Sequence, residues 1–214
     1  MYYRPPFLID LLHLCELIAV LAGIYKFKTV KNTYWKWFVF YLIYIFCYEI
    51  ISYYAVYTYK MKIGSFMALI QIPIEYLFLF WLFALQSLKK EKLFWFFTFI
   101  YTASLILEFL LSNIAFTFKS LNNTFGAFLL LILVILEFIK QIKSDRIINF
   151  REDKMFYINL GVILFYIGNM PFFGWYHPIL KIPEIWNSYY IYFMISNCIM
   201  YLLFAASFIW GRPK

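Results

Sequence analysis

Charged residues make up only 14% of this 214-residue chain, against 65% hydrophobic ones. A water-soluble domain of this length does not carry that much apolar surface, so the composition excludes a soluble fold and points to a polytopic membrane protein. Histidine is nearly absent. With only His13 and His177, a three-histidine membrane hydrolase centre has too few ligands. The seven glycines form no phosphate-binding loop and no nucleophile elbow. The last apolar run contains no lysine, which excludes a retinal Schiff base there, and no run carries the arginine ladder of a voltage sensor. Cys15, Cys47 and Cys198 are odd in number and each lies within an apolar run. They read as small buried hydrophobes, and no disulfide framework is implied. The first apolar run carries Asp10, His13 and Glu16, which suits a retained helix better than the apolar core of a cleavable signal.

What is present is a series of apolar runs bounded by basic residues. They predict an all-α, seven-transmembrane-helix bundle with spans at about 7–25, 37–59, 64–88, 93–116, 125–139, 155–173 and 189–210. The fifth is short and strongly aliphatic, and the stretch Ser120–Thr124 before it reads as a turn. The whole chain, 1–214, reads as a single transmembrane domain. Its longest polar connection, Lys140 to Lys154, is 15 residues and leaves no room for a soluble domain. No internal repeat stands out.

The basic residues also predict orientation. Lys26, Lys28, Lys31, Lys36, Lys89, Lys90, Lys92, Lys140, Lys143, Arg146, Arg151, Lys154, Arg212 and Lys214 fall on one side, 14 of the 19. Arg4, Lys60, Lys62, Lys119 and Lys181 fall on the other. Because the loops are short, the positive-inside rule applies, with the N-terminus outside and the C-terminus cytoplasmic. Tyr and Trp near the span ends fit interfacial belts.

The most informative pattern is the depth of the polar residues. Taking midpoints between flanking basic residues, Glu16, Glu49, Glu75 and Glu108 fall near the centres of the first four spans. Asn169 and Asn197 fall near the centres of the last two. Gln71 lies one helical turn from Glu75 on the same face, with Pro73 between them as a source of a kink. Carboxyl groups at this depth are costly, and no Lys or Arg lies within a span core to neutralise them. Two readings follow. In one, these groups form a midplane site for a ligand, a proton or a cation. In the other, they are neutral hydrogen-bonding glue between helices. Tyr101 and Ser104 beside Glu108, and Ser52 and Tyr53 beside Glu49, are potential partners in the glue reading.

Asp10, His13 and Glu16 repeat at i, i+3 and i+6 along one stripe of the first span. His13 and Asp10, with a neighbouring glutamate, are the candidate ligands of a divalent metal. His177, in the loop Trp175–Pro178, is placed to cover the same cavity or to sit at the interface. Gly168 and Pro171 flank Asn169 and predict a hinge or a fixed kink in the sixth span. Glu137, three residues before Lys140, reads as half of a surface ion pair.

The texture of Tyr166–Phe173 and Ile199–Trp210 resembles that of small seven-helix bacterial inner-membrane proteins of unknown function. Some of those are similar to the membrane sensor regions of histidine kinases. The resemblance implies an integral protein of the bacterial cytoplasmic membrane, working as a sensor or accessory subunit. A cation is the cofactor class that the acidic belt suits. The partners implied are the bilayer, a protein partner or a second copy of the chain, and anionic lipid at the basic face. The mixed charges of the Lys140–Lys154 loop argue against a specific nucleic-acid reader. A proton- or cation-linked transporter and a channel or pore-forming effector subunit are the alternatives. A membrane-embedded enzyme using a carboxyl pair ranks below them, and the sequence leans away from catalysis.

This topology predicts that single cysteines placed at 60 and 119 in a cysteine-free background react with an impermeant label in intact cells. Cysteines at 31 and 143 react only after permeabilisation. The reverse pattern would invert every assignment of side.

Overall fold

The computed structural model describes residues 5–55, 64–111, 118–144, 150–174, 178–179 and 181–212, and gives the backbone alone for 64–69, 109, 111, 118–121 and 171–173. Among these the chain is helical and contains no strand; a lone bridge joins Asp153 to Arg212. The elements are α1 (Pro6–Tyr25), the short α2 (Phe27–Val30), α3 (Trp35–Tyr53), α4 (Gly64–Phe80), α5 (Glu91–Leu111), α6 (Phe118–Lys143), α7 (Lys154–Gly174) and α8 (Pro183–Ile209). A π-helical stretch, Trp81–Ser87, prolongs α4, and a 3-10 turn, Phe150–Glu152, precedes α7.

Five segments are long and apolar enough to cross a membrane: α1, α3, Ile70–Ser87, Asn122–Lys143 and α8. The distribution of polarity agrees. Large apolar side chains such as Leu21, Trp95, Phe99, Ile106, Leu110 and Ile142 are exposed, while Glu16, Glu137, Asn159, Asn169 and Ser207 are buried. Water would reverse that arrangement, and hydrocarbon favours it. These are the features of an integral membrane protein.

The helices close into a ring. α8 packs against α1 and α7, α7 against α6, α6 against α4, α4 against α3, and α3 back against α1, with α5 applied outside α4 and α6. Aromatic contacts carry several of these joints. The Tyr41 and Phe78 rings stack at 4.1 Å between α3 and α4, and Phe38 meets Phe204 and Phe208 of α8. Tyr76 lies 5.3 Å from Tyr101 and 5.6 Å from Tyr166, joining α4 to α5 and α7.

Local chemistry sets the helix ends. Pro6 and Pro183 occupy first-turn positions of α1 and α8, where a missing N–H costs nothing. Asp153 caps α7 by accepting a bond from the Met155 N–H at 3.0 Å. The π stretch ends at Lys89, whose φ of 56° is left-handed, as Lys90 N–H reaches back to the Ala84 carbonyl. That bond reaches one residue further back than the 6→1 bond of a Schellman motif, in keeping with the wider π turn, and the left-handed position is held by a lysine in place of the usual glycine.

Three expectations are corrected. The turn expected at Ser120–Thr124 is helix, so α6 has 26 residues and begins at Phe118. Its polar residues were misleading because Asn122 and Asn123 bond inward, to Ser104 and Tyr76, and do not face water. α8 begins at Pro183, six residues before the expected start. Cys47 is exposed on the outside of the bundle, while Cys15 and Cys198 are buried as expected. The prolines did not break their helices. α4 stays α-helical past Pro73 as far as Phe80, and α7 runs without interruption through Pro171 to Gly174.

Gly126 makes the aromatic joint possible. A Cβ there would lie 2.8 Å from ring atoms of both Tyr76 and Tyr101. Gly126→Ala should therefore lower the unfolding temperature in detergent, because overpacking of this kind costs about 1–3 kcal/mol. Gly174→Ala should not, since its Cβ would meet Thr124 at 3.5 Å, an ordinary contact. A scanning thermal melt of both variants checks this.

Candidate functional site

Between the helices lies a partly open cavity of about 230 Å³ with several polar groups in its wall. Glu49 reaches it from α3, Gln71, Glu75 and Tyr76 from α4, Asn123 from α6, Tyr166 from α7, and Asn197 and Tyr201 from α8. Ile72, Phe165 and Phe193 complete the wall. The helical period explains the contribution of α4: Gln71 and Glu75 are one turn apart and Ile72 and Tyr76 stand beside them, so all four face inward.

The two carboxyl groups are held differently. Glu49 Oε1 accepts from Gln71 Nε2 at 2.9 Å, which joins α3 to α4. Glu75 Oε1 accepts from the Tyr166 hydroxyl at 2.7 Å, which joins α4 to α7. Tyr76 donates to Asn123 Oδ1 at 2.6 Å and ties α4 to α6. A single set of side-chain bonds thus couples four helices around the cavity. Asn197 Oδ1 is buried with no hydrogen-bond partner in the protein. Glu16, only 2% exposed on α1, also has a buried carboxyl oxygen, Oε2, without a partner. Glu16 lies within electrostatic range of both Glu49 and Glu75. The unsatisfied atoms of this group are therefore acceptors, and the centre calls for positive charge or donated hydrogen bonds.

Of the residues picked out by depth, Glu49, Gln71, Glu75 and Asn197 meet in the cavity, and Glu16 lies close behind it. Asn169 does not. It is fully buried in the α7–α8 contact, where its Nδ2 donates to the Phe165 carbonyl at 2.7 Å and to Ser196 Oγ at 2.8 Å. Asn169 therefore joins α7 to α8 through its amide nitrogen, while its Oδ1 is buried without a partner. Glu108 also lies elsewhere, beside Ser104 and Asn122 in a separate, mainly apolar cavity of about 480 Å³ between α5 and α6. Depth along a helix axis does not specify the direction around it, and that missing coordinate separates these two from the cluster.

The metal expectation finds no matching geometry. Among the described residues no three His, Cys, Asp or Glu side chains are grouped to hold an ion. His13 meets Tyr53 edge to face at 5.6 Å, and Asp10 is exposed. His177 lies outside the described residues. Gly168 serves close packing: a Cβ there would collide with the Tyr192 hydroxyl. Glu137 does pair with Lys140, at 3.4 Å, but it is fully buried and not on the surface.

Sequence reasoning missed Tyr166 and Tyr201, which look like two more members of an abundant tyrosine population. The available signal was spacing. Tyr201 is one turn from Asn197, and Tyr166 is one turn before Asn169.

No family model matches the chain, and neither a curated protein nor a solved structure matches it.

Proposed function

We propose that this protein is a seven-helix membrane sensor or accessory subunit whose midplane cavity takes up a proton or a small cation. In this reading α5 and α7 also span the bilayer, giving seven spans with the N-terminus outside and the basic face in the cytoplasm of a bacterial cell. The observation that carries the reading is that Glu49 and Glu75 line one cavity together with Asn197, whose Oδ1 is a buried acceptor without a partner, as is Oε2 of Glu16 within electrostatic range of both carboxyl groups. Two carboxyl groups used purely as glue would need donors for their remaining lone pairs. A bound cation or shared protons supply what the wall lacks.

Occupancy would have a mechanical consequence. The Glu49–Gln71 and Glu75–Tyr166 bonds join helices on different sides of the cavity, so a change of charge between them alters how α3, α4 and α7 are held. A ligand that binds one arrangement more tightly than another shifts the population of the bundle. In this reading the output passes to a partner chain or a second copy docked on the basic face.

The test uses Glu75→Gln, which keeps shape and hydrogen-bonding capacity and removes the titratable charge. Thermal stability is measured across pH, with and without added sodium or calcium, for the wild type, Glu75→Gln and Glu49→Gln. The expected result is folded variants that lose the pH and cation response of the wild type, with the double variant little worse than either single one. Superimposable profiles for all proteins, with stability changes within about 1 kcal/mol, would leave only a structural polar belt.

A further inference from the structure

A third cavity, of about 490 Å³, lies at the basic end of the bundle, where five helices begin or end. Its wall includes Trp35 at the start of α3, Ser87 and Lys89 at the end of the π stretch, Lys140 near the end of α6, Asp153 and Lys154 at the start of α7, and Arg212 after α8. Leu85, Leu88 and Met155 give it an apolar side. The volume falls within the roughly 300–1,000 Å³ typical of small-molecule sites.

Three buried groups in this wall are incompletely satisfied. Lys154 is 2% exposed, and its Nζ donates to the Ser207 carbonyl at 2.9 Å while lying 4.7 Å from the Phe208 ring centre and 5.8 Å from that of Trp35. An ammonium has three N–H donors, and no carboxylate lies within ion-pair distance of this one among the described residues. The Trp35 indole N–H, on a residue 2% exposed, has no partner. Neither does Asp153 Oδ2, on a residue 7% exposed. The cavity thus offers donors and, apart from them, one buried acceptor.

Charge narrows the occupant. Four cations, Lys89, Lys140, Lys154 and Arg212, face three carboxylates: Asp153 in the wall, Glu137 paired with Lys140, and Glu152 paired with Arg212 at 3.0 Å. Lys26 also lies within electrostatic range of Lys154, so the balance is positive and favours an anionic occupant. A phosphodiester and a free phosphate both meet that demand, and the apolar side of the cavity favours the one that carries acyl chains.

We propose that this cavity binds a phospholipid headgroup, with the phosphodiester on Lys154 and the Trp35 N–H and a hydroxyl or ammonium of the headgroup donating to Asp153. Its place at the helix ends is where lipid phosphates lie, and its apolar side suits the start of the acyl chains. The site is separate from the midplane cavity and does not depend on the function proposed for it.

The experiment titrates the detergent-purified full chain with dihexanoyl phosphatidylglycerol, dihexanoyl phosphatidylethanolamine, dihexanoyl phosphatidylcholine or inorganic phosphate, following thermal stability and mass by native mass spectrometry. The first two lipids should bind and stabilise the protein. Phosphatidylcholine, whose headgroup has no N–H or O–H, should bind roughly tenfold more weakly or worse, the scale of a hydrogen bond to a charged group. Trp35→Phe keeps the ring and removes the donor, so it should weaken binding of all three lipids. Asp153→Asn should erase the preference over phosphatidylcholine, and it provides a second readout should Trp35→Phe fold poorly. Equal affinity for the three lipids in the wild type would overturn the proposal, as would inorganic phosphate binding as tightly as lipid.

Discussion

A carboxyl group among apolar helices must find its hydrogen bonds inside the protein, and that constraint organises this bundle. Hydrocarbon offers no donors, so the cost of a buried polar atom falls when a neighbouring helix supplies its partner. Glu75 is answered by Tyr166 and Glu49 by Gln71. The first of these bonds reaches from α4 to α7 past α6 and the second joins the neighbours α3 and α4, so together they hold the inward faces of all three helices. The stacked Tyr41–Phe78 pair and the Tyr76–Tyr101–Tyr166 cluster add aromatic contacts between the same helices and α5. Gly126 lets the rings approach because it has no side chain.

The same constraint governs the helix ends, where lysines meet it. The last carbonyls of a helix have no intrahelical donor. Lys140 donates to the Ser87 carbonyl at the end of the π stretch, and Lys154 donates to the Ser207 carbonyl near the end of α8. In each case a cation from one helix stabilises the negative end of another. These residues count as loop charges in a topology argument, yet Lys154 is almost wholly buried. Such a lysine both locks helices together and keeps donors directed into a cavity.

Much of the architecture was legible because it follows from one-dimensional signals. Apolar runs between basic residues located the helices, and the positions of Glu49, Gln71, Glu75 and Asn197 near the span centres foretold that they meet. What escaped was azimuth. Glu108 and Asn169 lie at comparable depth but face other neighbours, Ser104 and Asn122 for one and Ser196 for the other. Polar residues at Ser120–Thr124 resembled a turn because sequence alone does not show that Tyr76 and Ser104 wait opposite them. The burial of Glu137 was hidden for a similar reason: its i, i+3 lysine is the usual mark of an exposed pair.

The central claim is that Glu49 and Glu75 change state when the midplane cavity is occupied. Difference infrared spectroscopy of the carboxyl-stretch region, recorded on reconstituted protein as sodium or calcium is added at fixed pH, tests it directly. The account predicts a carboxyl difference band that is lost in Glu75→Gln and altered in Glu49→Gln. A spectrum that stays flat on cation addition and on a change of pH, with the wild type folded throughout, would contradict it.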